Sequence, residues 1–136
     1  MPAMQHIAMN CIDRHRQEAF YTHHFGFRRA RVFNPGTKDE FVMLRNGAVC
    51  MEFFDVPEGV QATGGEQPVG FKHLAFEVDD IEATIRALQA DGVETGELID
   101  CDAMVPGMRV CFFKDPDGNI IEIMENWSDE ENPPQA

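Results

Sequence analysis

The sequence contains no apolar run that approaches the roughly 18 residues a membrane-spanning helix requires. Its start, MPAMQHIAMNCID, lacks the basic segment and the long apolar segment of a secretory signal peptide. Positive charge is scarce, because 11 Lys and Arg stand against 24 Asp and Glu and leave a formal net charge of −13. Such a field repels the phosphates of nucleic acids and of anionic membranes. We therefore expect a cytoplasmic protein without nucleic-acid or membrane partners.

Cysteine is sparse, and none of it occurs in a C-x-x-C arrangement. The four residues are Cys11, Cys50, Cys101 and Cys111. A metal site built from thiolates needs close pairs, so the spacing argues against one. All four lie in or beside apolar stretches, and we expect them to be buried free thiols in a reducing compartment.

Despite these absences, the chain has the composition of a folded protein. Its 136 residues and 43% hydrophobic content predict a single domain over 1–136. An internal repeat organises it, because residues 4–55 and 72–126 each read as a strand, a helix and three strands. The Gly- and Pro-rich segment 56–71 reads as the linker. The sequence therefore predicts an α+β fold in which two βαβββ repeats form curved mixed sheets around a central cavity.

Caps and periodicity indicate the element boundaries. Strands are predicted at about 4–11, 27–34, 39–46, 48–55, 72–79, 94–101, 108–114 and 119–126, and helices at about 13–25 and 80–91. Asp13 and Asp80 each follow a strand and suit helix N-caps, whereas Gly26 and Gly92 suit C-caps. The second helix has an apolar stripe at helical spacing that should face the core: Ile81, Ile85 and Leu88.

Four residues recur at matching positions of the two repeats, with one His in the first strand and one Glu in the fourth: His6, Glu52, His73 and Glu122. Each opposes an apolar strand face that should pack under a helix. Polar residues on the outer face of a sheet usually just meet water, but the repetition indicates a common centre. Two imidazoles and two carboxylates suit one octahedral divalent metal ion with open water positions. Apolar lining for such a pocket could come from Phe54, Phe112 and Met124.

The motifs HIAMNCID and AFYTHHFGF in the first repeat, with KHLAFEVDDIEATIRALQADGV and FFKDPDGNIIEIME in the second, resemble the vicinal oxygen chelate superfamily. This group includes glyoxalase I, bleomycin-resistance proteins, extradiol dioxygenases, fosfomycin-resistance enzymes and methylmalonyl-CoA epimerase. The resemblance spans residues 4–126 and implies the glyoxalase-like fold. Members perform very different chemistry on that fold, so the activity must be argued from the site.

In the metal-using members the ligands come from the first and fourth strands of each repeat, which the resemblance carries to His6, Glu52, His73 and Glu122. This set looks like that of bacterial glyoxalase I, and it implies one divalent metal ion per site, Ni, Zn, Co, Mn or Fe. Two positions depart from glyoxalase I. Asn10 stands where an Arg that holds the glutathione carboxylate is expected, and Val56 stands where an Asn is expected. The resemblance thus implies the metal site without the usual means of holding glutathione.

The resemblance also implies a function. We expect a metal-dependent lyase or isomerase of the lactoylglutathione lyase type, with its glutathione dependence in question, acting on a small oxygen-chelating substrate through a metal-stabilised enediolate. Glu122 is the first candidate for the base, and Glu52 is its partner. Two alternatives remain open: a metal-free small-molecule-binding protein of the bleomycin-resistance type, and an Fe(II) extradiol-type dioxygenase. We expect a homodimer, with each metal site built within one chain or across two.

Overall fold

A computed structural model of the chain describes residues 5–59, 73–132 and 134. The elements run in the order β1 (Ile7–Cys11), α1 (Arg14–Phe25), β2 (Arg28–Phe33), β3 (Phe41–Asn46), β4 (Val49–Asp55), β5 (Leu74–Glu77), α2 (Ile81–Ala90), β6 (Ile99–Asp100), β7 (Arg109–Lys114) and β8 (Ile120–Glu125). The predicted order is therefore confirmed in both repeats. From position 60 onward, the predicted linker lies outside the described residues.

The strands form two four-stranded sheets, in the orders β1-β4-β3-β2 and β5-β8-β7-β6. β1 pairs parallel with β4, and β5 pairs parallel with β8, whereas the other neighbours pair antiparallel. Both sheets are mixed, which confirms the predicted α+β class and its βαβββ repeat. The chain divides into a first unit, residues 1–64 with 115–118, and a second unit, residues 65–114 with 119–136. The single domain over 1–136 stays a prediction.

In the first unit the core lies between α1 and one face of the sheet. The buried side chains on that face are Val42, Leu44, Met51 and Phe53. The ring of Tyr21 contacts that of Phe53, with centroids 5.6 Å apart. The helix itself buries a partly polar face, made of Arg14, Gln17, Tyr21 and Phe25. Aromatic and polar groups therefore share the interface between helix and sheet.

Two buried donors of α1, from Gln17 and Tyr21, share one carboxylate acceptor. The Tyr21 hydroxyl and the Gln17 amide both donate to Oδ2 of Asp115, at 2.8 and 3.0 Å. Asp115 lies in the turn 115–118, which belongs to the first unit. Burial and the adjacent Asp115 carboxylate raise the pKa of Tyr21 well above its usual range. Charge-assisted hydrogen bonds thus hold the turn to the helix.

The second unit packs its helix with apolar side chains. In α2, Ile81 and Leu88 are buried and Ile85 is half-buried, so the predicted stripe is confirmed. The sheet contributes Cys111, Phe113, Ile121 and Ile123. Gly92 was predicted as the C-cap of α2, but the C-cap residue is Asp91. Gly92 follows it with φ of 80°. A glycine belongs at this position because the chain leaves the helix in the left-handed region.

Both helices begin in the same way. Asp13 and Asp80 have an extended backbone, with φ of −138° in each. Their carboxylates accept hydrogen bonds from the N–H of the third helical residue, at 3.1 and 2.9 Å, so both predicted N-caps are confirmed. A second carboxylate at the end of the fourth strand accepts the first helical N–H. Asp55 does this for α1 at 2.7 Å, and Glu125 does it for α2 at 3.0 Å.

One predicted strand is much shorter in the structure. The segment predicted at 94–101 contributes only the two residues of β6, preceded by an isolated bridge between Thr95 and Phe113. Gly96 donates its N–H to the carbonyl of Phe112 at 2.8 Å, and a Cβ at Gly96 would stand 3.1 Å from that oxygen. The close approach of the two backbones interrupts the regular ladder.

The four cysteines are free thiols, as predicted. Cys11, Cys50 and Cys111 are buried, whereas Cys101, also predicted to be buried, is half-buried. Among the described residues, no helix has both the length and the apolar composition that a membrane span needs.

Candidate metal centre

The first unit brings His6 and Glu52 together. Because β1 runs parallel to β4 with Ala8 opposite Glu52, His6 lies on the same sheet face as that carboxylate. Nε2 of His6 stands 3.7 Å from Oε1 of Glu52. His6 was predicted within the strand, but it directly precedes β1, since pairing with β4 begins only at Ile7. His6 nonetheless lies on the sheet face that was predicted for it.

The second unit repeats this arrangement with a shorter contact. Ala75 lies opposite Glu122 in the parallel pair of β5 and β8. Nε2 of His73 stands 2.8 Å from Oε2 of Glu122. His73 also precedes its strand, because β5 begins at Leu74. Both histidines thus lie one residue before the observed strands, although the predicted strands included them, and both lie beside the predicted carboxylates.

The two pairs differ in their surroundings. The side chain of His73 is 28% exposed and that of His6 is 38% exposed. Phe112 lies opposite Glu122 in the β7–β8 ladder and contacts His73 edge-on, with ring centroids 5.6 Å apart. Nδ1 of His73 is buried without a hydrogen-bond partner in the described part of the chain. The orientation of this imidazole therefore depends on Nε2 and on the Phe112 edge.

These donor atoms fit a divalent metal ion. Imidazole nitrogen and carboxylate oxygen bind zinc at about 2.0–2.2 Å, so two donors at adjacent positions of one ion stand about 3 Å apart. The His73–Glu122 pair has nearly this separation, at 2.8 Å, and the His6–Glu52 pair is wider, at 3.7 Å. Small side-chain adjustments bring either pair to the required distance. Each unit can thus provide one imidazole and one carboxylate.

The two positions that depart from glyoxalase I carry no cation. Asn10 is an exposed amide opposite Phe54 in the β1–β4 pair. Val56 follows β4 and donates its N–H to the carbonyl of Cys11 at 2.9 Å. Asn10 cannot form the ion pair that an Arg would form with a glutathione carboxylate, and the Val56 side chain cannot form the hydrogen bonds of an Asn.

The open face of the first sheet, meaning the face that carries His6 and Glu52, is aromatic at one end. Phe33, Phe41 and Phe54 form a row across β2, β3 and β4, and each is half-buried. Successive ring centroids are 4.5 Å apart, and the rings are tilted by 10° and 25°. Of these, only Phe54 was predicted as pocket lining. Strand alternation could have indicated the other two, because it puts every second residue on this face.

Comparison with known proteins identifies the family. The sequence profile of the Glyoxalase/Bleomycin resistance protein/Dioxygenase superfamily matches residues 3–123. The uncharacterized protein YwkD of Bacillus subtilis (strain 168) is 30% identical over 92% of this chain and 98% of its own. The uncharacterized protein YaeR of Escherichia coli (strain K12) is 32% identical over 90% and 95%. The solved glyoxalase family protein from Enterococcus faecalis is 31% identical over 90% and 97%, with a TM-score of 0.73.

Two further structures, at lower identity, share the fold. One is a mutant of the fosfomycin resistance protein FosX from Listeria monocytogenes, complexed with Mn(II) and 1S,2S-dihydroxypropylphosphonic acid, 15% identical over 90% of this chain and 89% of its own, with a TM-score of 0.68. The other is TnmS3, an antibiotic binding protein from Streptomyces sp. CB03234, 21% identical over 93% and 98%, with a TM-score of 0.68. The fold alone is thus compatible with a metal complex and with a binding protein. The profile covers nearly the whole chain, and this chain belongs to the Glyoxalase/Bleomycin resistance protein/Dioxygenase superfamily.

Proposed function

We propose that the chain is a metal-dependent lyase or isomerase for a small substrate with two adjacent oxygen atoms, and that its metal ligands are His6, Glu52, His73 and Glu122. The equivalence of the two pairs carries the proposal. In both units an imidazole lies beside a carboxylate of the fourth strand, at the same register of a parallel strand pair. One such contact is ordinary on a sheet surface, but its repetition supports a shared role for the four residues.

The donor set suits nickel, zinc, cobalt, manganese or iron(II). An ion held there supplies Lewis-acid stabilisation for negative charge that develops on a substrate oxygen. The chain itself supplies the proton transfer. Glu122 is only 8% exposed, and its shielded carboxylate is our proposed base for removing a proton from a carbon acid. The protonated Glu122 then returns this proton to the neighbouring atom, and Glu52 is its partner carboxylate in the proposed site.

The proposed substrate is not a glutathione adduct. Asn10 provides no cation where the resemblance implies an Arg, and Val56 provides no amide where it implies an Asn. The presence of Mn(II) in the FosX complex supports a metal ion in this fold, whereas TnmS3 is an antibiotic binding protein with the same fold. The donor atoms of this chain, rather than its fold, therefore favour the enzyme.

Metal analysis tests the proposal. Protein purified without chelators should contain stoichiometric divalent metal, and His73→Ala and Glu122→Ala should lose it. His15→Ala is the matched control, because His15 is an exposed histidine of α1. Wild-type protein that binds no added Ni, Zn, Co, Mn or Fe(II) would overturn the enzyme and favour the metal-free binding protein. Oxygen consumption that depends on Fe(II) would instead favour the dioxygenase.

Isotope exchange tests the proposed base. Incubation of metal-loaded protein with small hydroxyketones and hydroxyaldehydes in deuterated water should place deuterium at the carbon next to the carbonyl. Glu122→Gln should abolish this exchange, whereas the exposed control Glu94→Gln should leave it unchanged. Exchange that persists in Glu122→Gln would assign the base elsewhere.

We also propose that the protein is cytoplasmic, since its free thiols suit a reducing compartment. We further propose that it forms a homodimer. Mixing chains that carry His6→Ala with chains that carry His73→Ala distinguishes the two possible origins of the ligands. If each metal site takes one pair from either chain of a dimer, every mixed dimer regains one complete site. If each site takes both pairs from one chain, mixing restores no metal binding.

A further inference from the structure

The open face of the first sheet carries arginines beside the phenylalanine row. In the β2–β3 register, Arg28 lies opposite Arg45, and Arg31 lies opposite Met43. Met43 in turn lies opposite Glu52 in the β3–β4 register. Because residues paired across neighbouring strands point to the same face, the three arginines share the face of Glu52. We call Arg28, Arg31 and Arg45 the arginine cluster.

A bulge in β2 creates this arrangement. The register shifts between Arg29 and Arg31, so the two arginines that flank this stretch, Arg28 and Arg31, both reach the open face. Arg29 points to the other face, where its guanidinium forms an ion pair with Glu18 of α1. In β2, Arg29 is therefore paired with α1, whereas Arg28 and Arg31 lie on the opposite face.

The charges of the arginine cluster are not neutralised within the described part of the chain. None of the ion pairs there involves Arg28, Arg31 or Arg45, although the chain has a net charge of −13. Like charges directly opposite each other destabilise a sheet, and Arg28 and Arg45 are such a pair. An anion bound between them would relieve that repulsion.

Arg31 joins the arginine cluster to the phenylalanine row. Its guanidinium carbon stands 5.7 Å from the ring centroid of Phe33. Stacking on an aromatic face orients a guanidinium while leaving its N–H groups free for a carboxylate or phosphate. Phe33 then continues into Phe41 and Phe54, which present flat apolar surface. Cation and aromatic surface therefore adjoin on one face.

We propose that this face is a binding site for a small organic anion: the arginine cluster holds its carboxylate, phosphate or phosphonate group, and the phenylalanine row holds a planar apolar body. The proposal rests on the proposed function in one respect, since it names the substrate class that reaches the metal ligands His6 and Glu52. The anion-binding groups themselves are separate from those ligands. The charge of the substrate thus meets a local positive patch in an otherwise acidic protein.

Calorimetric titration of chelator-treated, metal-free protein tests this site without relying on turnover. Phenylphosphonate combines a planar ring with an anion, inorganic phosphate provides the anion alone, and benzyl alcohol provides the ring alone. We expect phenylphosphonate to bind about tenfold or more tightly than either of the other two, because both halves of the site contribute only for that probe.

Variants assign the contacts. Arg31→Gln and Arg45→Gln should each weaken phenylphosphonate about tenfold, because each removes a charge-assisted contact. Phe41→Leu should weaken phenylphosphonate but leave phosphate binding unchanged. Arg86→Gln, an exposed arginine of α2, is the matched control and should bind as wild type. Thermal unfolding of each variant verifies that it is folded.

Two results would overturn the site: wild-type protein that does not bind phenylphosphonate, or a folded Arg31→Gln/Arg45→Gln variant that binds it as wild type does. Metal uptake is measured separately on the same proteins. Arginine-dependent phenylphosphonate binding in a protein that takes up no metal would sustain this site and overturn the metal-dependent function. Normal metal uptake without phenylphosphonate binding would overturn the anion site and leave the metal-dependent function standing.

Discussion

The first unit attaches its helix through polar and aromatic contacts, whereas the second attaches its helix through aliphatic side chains. Gln17 and Tyr21 of α1 are buried against Asp115, while α2 buries Ile81 and Leu88. The strand order, the register of the parallel strand pair and the N-caps are nevertheless the same in both. A single backbone plan therefore tolerates two chemically different helix–sheet interfaces, because the strand pairing and the caps do not depend on what the helix buries.

The open sheet faces differ in a more specific way. Each carries one His and one Glu at equivalent register. Beside Glu52 the first unit has Met43, with Arg31 one strand further out, whereas Phe112 lies beside Glu122 in the second unit. The repeated residues are those proposed to hold metal, and the unrepeated ones are those proposed to select the ligand. The comparison thus separates the proposed metal ligands, which recur in both units, from the proposed recognition residues, which do not.

The largest expected effect is a loss of metal affinity, and it tests whether the two His…Glu pairs are equivalent. His6→Ala and His73→Ala should each lower Zn or Ni affinity by more than the roughly 10–100-fold that losing an outer-shell partner costs. The loss should be greater for His73, whose contact is shorter and less exposed. Competition with a chromogenic chelator measures both. Unchanged affinity in His6→Ala would show that only the second unit binds the ion.

The next effect sharpens the contrast between the helices. Leu88→Ala should lower the free energy of unfolding by about 3 kcal/mol through loss of apolar burial. Asp115→Ala should cost about as much, because it leaves two buried donors, from Gln17 and Tyr21, without their acceptor. Tyr21→Phe removes one donor and should cost about 1 kcal/mol. Urea unfolding measures these free energies. An Asp115→Ala variant as stable as the wild type would refute the polar attachment of α1.

A smaller effect separates the carboxylates at the two strand ends. Glu125 is buried and pairs with Arg109 as well as with the start of α2, so Glu125→Ala should cost about 2–3 kcal/mol. The Asp55 side chain is 48% exposed beside Arg14, and solvent screening should limit Asp55→Ala to about 1 kcal/mol. Equal losses in urea unfolding would show that burial does not distinguish the two helix starts.

The smallest effect is a pH dependence of stability that Cys11 contributes in the first unit. Burial, followed by the charge of nearby Asp117, raises the pKa of the Cys11 thiol from 9.0 to about 12. The unfolded chain releases this proton at lower pH than the folded chain does, so stability present below pH 9.0 is lost as pH rises towards about 12. Cys11→Ala should flatten part of this decline in urea midpoints, and Cys101→Ala should not. Identical slopes in all three proteins would contradict the prediction.

The sequence by itself determined the repeated βαβββ order, the N-caps Asp13 and Asp80, and the apolar stripe of α2. These features depend on short-range signals, because alternation, helical spacing and capping each act within a few residues. The His and Glu positions were also readable from the sequence, since their faces follow from strand alternation. What it could not indicate was that both histidines precede their strands, because the start of a strand depends on where its neighbour begins to pair.

Only the tertiary structure decided the contacts between residues distant in sequence. Asp115 accepts hydrogen bonds from Gln17 and Tyr21, which lie 98 and 94 residues away in the sequence. No local sequence pattern predicts such a contact. The arginine cluster depends on a bulge in β2 together with the strand order β1-β4-β3-β2. A shift of one residue reverses the face to which a strand presents its side chains. The composition of the open face was therefore decided by register, which forms only when the strands meet.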